Sequence, residues 1–68
     1  KSRLLSATII ADNAMEADAW ATVCMVVGLE EAIKLINENR SLLAYFVYSD
    51  IEGNWEVWQS PELAKMIL

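Results

Sequence analysis

The 68-residue chain has no histidine, one cysteine, one proline, two glycines, and five cationic side chains against ten acidic ones. Each shortage closes a class of chemistry. Without histidine, a serine or cysteine nucleophile has no imidazole base and the commonest metal ligand is missing. Cys24 on its own excludes an internal disulfide. Set in the apolar run Val23 to Val27, it reads as a core thiol whose reactivity burial suppresses. Gly28 and Gly53 are the only glycines, and neither stands in the strand-turn-helix frame of a phosphate-cradling loop. A net charge of −5, with Lys1, Arg3, Lys34, Arg40 and Lys65 scattered along the chain, repels phosphate backbones, so no direct nucleic-acid binding is expected. The longest nearly apolar stretch, Ala19 to Leu29, is about half of what a bilayer span requires, so no membrane partner is expected. No leader pattern is legible, and the expected location is cytoplasmic.

What is present is apolar surface, since 56% of the residues are hydrophobic. In so short a chain the gain from burial and the cost of ordering the backbone are of similar size. With no disulfide and no metal to add stability, association is the remaining means, and a homo-oligomer is expected. No linker, repeat or low-complexity tract interrupts the chain, so residues 1–68 read as one small domain.

Arg3 to Ala11 fits either a strand or a short helix, and the β-branched cluster Thr8-Ile9-Ile10 tips it toward strand. From Ala14 to Asn39 the three- and four-residue spacing of Met15, Trp20, Val23, Cys24, Val27, Leu29, Ile33 and Ile36 predicts helix. Asp12 or Asn13 serves as its cap, and Asn39 as a left-handed terminator. Gly28 either breaks this helix in two or marks a close backbone contact. Leu42 to Ser49 and Asn54 to Gln59, rich in aromatic and branched residues and joined by Asp50 to Gly53, predict a β-hairpin. Ser60-Pro61-Glu62 reads as N-cap, first residue and first-turn acid of a short C-terminal helix. The expected class is α+β, with the helices on one sheet face.

Carboxylates offer only weak catalytic candidates. Asp12 with Glu16, and Asp50 with Glu52 and Glu56, have local reasons to be where they are, in capping and in turn formation. The Asp50, Glu52, Asn54 spacing departs from a calcium loop because Gly53 falls too early and Pro61 stands where the closing glutamate belongs. A helix-turn-helix reading around Cys24 and Gly28 fails on charge, since Glu30, Glu31 and Glu38 face a single Lys34. No catalytic residue, metal site or cofactor is expected.

The unusual feature is aromatic. Tyr45, Phe46, Tyr48, Trp55 and Trp58 are five of the six aromatic residues and fall within the hairpin. Alternation divides them between two faces, only one of which the helices cover. The expectation is a non-enzymatic interaction module with Tyr45, Tyr48, Trp55, Trp58, Met66 and Ile67 as anchors for a protein partner or a second copy. Asp50, Glu52 and Glu56 form its acidic rim. Carbohydrate stacking on the exposed rings is a rival use. The alternative function is an acidic decoy for the basic groove of a nucleic-acid-binding protein.

Overall fold

The computed structural model describes residues 2–66. Its elements, in order, are β1 (Arg3–Ile10), α1 (Ala14–Val27), α2 (Leu29–Glu38), β2 (Leu43–Ser49), β3 (Trp55–Gln59) and α3 (Pro61–Met66). The class is α+β as the patterning predicts, and the ambiguous first segment is a strand. The three strands form one antiparallel sheet in the order β1-β2-β3.

Register explains which residues share a face. Ala7 pairs with Phe46 and Ile9 with Ala44, while Phe46 pairs in turn with Trp58. These side chains point to one side, where Ile9, Ala44 and Phe46 are buried with Leu4, Cys24, Leu29, Ala32, Ile36 and Leu42. Near its start β1 carries a bulge, since Leu4 pairs with Tyr48 and Ser6 with Val47, leaving Leu5 without a partner.

The long helical region is broken at Gly28, whose φ of 89° and ψ of 172° suit a residue without a β-carbon. A β-carbon there would meet nothing within 4 Å, so the glycine serves conformation and not a close approach. Asn13 is the N-cap of α1, its side-chain oxygen accepting the Glu16 amide at 2.8 Å. Asn39 differs from the left-handed terminator expected of it, because its φ is −126°. It closes α2 by other means: its amide donates to the Ile36 carbonyl and its side-chain nitrogen to the Leu35 carbonyl.

The two helices differ in character. Leu29, Ala32 and Ile36 give α2 one buried stripe, and Glu30, Glu31, Lys34 and Glu38 occupy its wet side. In α1 the sheet-facing stripe is Ala17, Trp20, Ala21 and Cys24. Met15, Val23 and Val27, expected to share that stripe, are exposed. Ala17, Ala21 and Cys24 beside Trp20 bring α1 close to the sheet, and Met15, Val23, Met25, Val26 and Val27 are left exposed. Both helices cover the same face, and the body measures 35 × 29 × 18 Å, its thinnest dimension that of a sheet with one helical layer.

Ser60 holds the N-cap position expected of it, directly before Pro61, but its side chain does not cap the helix. Its carbonyl accepts the Ala64 amide as α3 begins. Its buried hydroxyl accepts the Ala44 amide at 3.0 Å, and its own amide donates to the Ala44 carbonyl at 2.9 Å. Ser60 thus prolongs the β2–β3 ladder by one residue, and this pairing explains why a hydroxyl is tolerated in the interior.

Candidate functional site

The hairpin aromatics are separated by the sheet. Phe46 is fully buried and stacks on Trp58, ring centroids 5.2 Å apart. Tyr48 and Trp58 both pack against the core on the helix-covered side. Tyr45 and Trp55 lie on the opposite side, where Trp55 is 76% exposed. Of the six expected anchors, the sheet therefore brings only Tyr45 and Trp55 to one open face. Met66 is exposed at the end of α3, and Ile67 lies outside the described residues.

The acidic residues of the hairpin have structural employment. The Asp50 carboxylate accepts the Asn54 and Glu52 amides, each at 2.9 Å, and the Asn54 side-chain amide at 3.3 Å. These donors, the Asn54 amide foremost, hold its pKa below the usual carboxylate value. Glu52 and Glu56 are exposed. Glu56 shares the helix side of the sheet with Tyr48, on the edge strand β3. Asp12 and Glu16 flank the cap of α1 and form no cleft. Cys24 is buried, and its burial pushes the thiol pKa up. Among the described residues no group of three potential metal-ligating side chains comes together.

A recess of about 160 Å³ opens where α1 meets α2, lined by Ser2, Val27, Gly28, Leu29, Glu30 and Glu31. It is small against the roughly 300–1,000 Å³ of a small-molecule site. The two glutamates complement the positive end of α2 and oppose any anion there.

Two surfaces are apolar without cover. The first is the bare sheet face, where Ser6, Thr8 and Ile10 of β1, Leu43, Tyr45, Val47 and Ser49 of β2, and Trp55, Val57 and Gln59 of β3 share one side. None of these ten is charged. The second is the outer side of α1, where Met15 is 82% and Val26 79% exposed. Asp18 and Thr22 stand one turn apart on that strip, the Thr22 hydroxyl donating to the Asp18 carbonyl at 3.0 Å. Asp18 is charged and exposed, as is Glu16 toward the flank of the same helix, a feature that the reading of α1 as a single-sided helix passes over. The signal was available, since a helix apolar on every side is built for burial on every side.

The profile of the ApbE family matches residues 1–46, and the chain belongs to that family. It is 36% identical over 66 residues to the FAD:protein FMN transferase of Klebsiella pneumoniae strain 342, a match covering 97% of this chain and 18% of that protein. The FAD:protein FMN transferases of Escherichia coli K12 and Salmonella typhimurium LT2 are 35% and 32% identical over 65 residues, again 96% of this chain and 18% of theirs. The chain thus spans under a fifth of the length of the curated relatives it matches. No solved structure matches it.

These matches overturn the expectation of a non-enzymatic interaction module, and with it the acidic decoy, because the relatives carry the name of a transferase. The shortage of nucleophiles and bases described one segment, and in relatives of this length most of the polypeptide lies elsewhere. The recess between α1 and α2 is small and acidic, whereas FAD brings a pyrophosphate and a large ring system. No helix among them is long and apolar enough to cross a membrane.

Proposed function

We propose that this chain is a structural segment of an FAD:protein FMN transferase, a protein that moves the FMN part of FAD onto a protein acceptor. The observation that carries this reading is the extent of the likeness, which runs through 97% of the chain at 36% identity. It therefore includes the helix pair and the hairpin and is not confined to one short motif. The segment supplies framework: a three-stranded sheet, a largely apolar helix α1 and a wet helix α2. Asp18 and Thr22 are the polar groups that it presents on the strip of α1 facing away from the sheet. An acid on a strip otherwise apolar is costly to cover unless it is paired or used, so Asp18 is the side chain through which this segment would bear on the transfer.

The test is a chimera in which this chain replaces the matching 65 residues of the Escherichia coli transferase. Incubated with FAD and an acceptor protein, the chimera should leave covalent flavin on the acceptor, visible by fluorescence after denaturing electrophoresis, and release AMP. A folded, monodisperse chimera that leaves FAD intact would refute the reading. Asp18→Asn in the active chimera should reduce transfer while leaving its circular dichroism unchanged.

A further inference from the structure

The bare face of the sheet has the wrong composition for water. An antiparallel sheet with one solvated side alternates apolar inward and polar outward. Here Ile10, Leu43, Tyr45, Val47, Trp55 and Val57 all lie on the side opposite α1 and α2. The charge that a wet face should carry is found on the other side, at Glu56. Arg3 reaches the bare face only at its far corner, opposite Ser49. Natural sheets protect an exposed face with charge, and this one has none between Ser6 and Gln59.

The outer strip of α1 is apolar too, and it faces away from the sheet. The chain therefore has two uncovered apolar surfaces on opposite sides of a body 18 Å thick. This geometry decides between occupants. A two-fold dimer of this chain pairs one patch with itself and covers one of the two surfaces. Covering both with further copies means stacking them through two opposite faces, head to tail or alternately face to face, and faces set back to back favour an open stack over a closed ring. A surrounding polypeptide covers both at once, and relatives in which the matched stretch is 18% of the length have such a polypeptide to supply.

We propose that this chain is a central layer, with the bare sheet face and the outer strip of α1 both covered by other segments of an ApbE-family polypeptide. The inference rests on family membership and goes beyond the reading of activity. Tyr45, Trp55 and Val57 are the contacts on the sheet side, Met15 and Val26 those on the helix side. The wet side of α2 remains at the surface.

Acrylamide quenching of Trp55, with Trp20 and Trp58 replaced by phenylalanine, tests this in the isolated chain and in the chimera described above. Quenching should fall several-fold in the chimera, and equal quenching in both overturns the proposal. Sedimentation of the isolated chain is the second measurement, and it decides even where the chimera does not fold. Association without fixed stoichiometry, relieved by Trp55→Ser with Val57→Thr, is expected. A discrete dimer that shields Trp55 makes a second copy the occupant and overturns the proposal, as does a monodisperse monomer that binds no hydrophobic dye. A chimera that shields Trp55 but transfers no flavin removes the functional reading and leaves this one standing.

Discussion

The two faces of the sheet are made from the same kinds of residue and have opposite surroundings. On one, Phe46 is fully buried, stacked on Trp58 beneath the helical layer. On the other, Trp55 stands 76% exposed among Tyr45, Val57 and Val47. Composition cannot tell these faces apart, and their positions in the fold can. An aromatic residue on the covered side stabilises this chain by itself, whereas one on the bare side contributes only when something is placed on it.

Substitutions make this contrast measurable. The largest effect is expected at Phe46, where truncation to alanine removes a buried ring and should cost about 3–5 kcal/mol. That is comparable to the whole stability of a domain this small. Far-UV circular dichroism should therefore show Phe46→Ala largely unfolded; a native spectrum would mean that the covered side is not the core. Ser60→Ala comes next, because it strands the buried Ala44 amide, at about 1–3 kcal/mol in a urea titration.

Gly28 sets how the helices lie over the covered face. With φ at 89° and ψ at 172°, Gly28→Ala should cost on the order of 1–3 kcal/mol through backbone strain alone. Gly28→Asn should fare no better, since this ψ lies outside the left-handed region that asparagine tolerates. Rescue by asparagine would show that the junction had shifted. Trp55→Ala is the counterpart of Phe46→Ala and should change the unfolding free energy of the isolated chain by no more than about 0.5 kcal/mol. A larger loss would erase the distinction between the two faces.

The smallest effect lies at the hairpin loop, outside both layers. Amide donation, led by Asn54, lowers the Asp50 pKa from its ordinary 3.8. Its contribution is therefore complete above the unfolded value and is lost as pH falls through the folded one. A carbon-detected titration should place the Asp50 midpoint below 3.8, with the Asn54 amide shifting in step.

Much of this architecture is legible in the residues. The β-branched cluster Thr8-Ile9-Ile10 marks β1, Asp12-Asn13 marks the start of α1 without saying which of the two caps it, and Asp50 to Gly53 mark the hairpin loop. The interruption at Gly28 was one of two readings that a glycine in a helical pattern permits. Which tryptophan would be covered was not legible, because it depends on the pairing of Phe46 with Trp58, a matter of register across strands rather than of either strand alone. The outward turn of Met15, Val23 and Val27 was hidden for a related reason: spacing identifies a helix, but small residues such as Ala17 and Ala21 decide which side lies closest to the sheet. The surplus of apolar surface was plain, yet the enzyme family was not. An uncovered hydrophobic face looks the same on an interaction module as on a layer of a larger protein, and no short motif in this segment spells out flavin transfer.

The unpaired Leu5 has one more effect, at the open rim of the sheet. A bulge breaks the even spacing of main-chain donors and acceptors and turns the strand out of line. Another strand joining alongside β1 would thus find regular bonding partners from Ser6 to Ile10 and lose its grip before Arg3. Sideways growth along the β1 edge is confined to that part of the rim, and the corner beyond it resists being zipped into an indiscriminate stack.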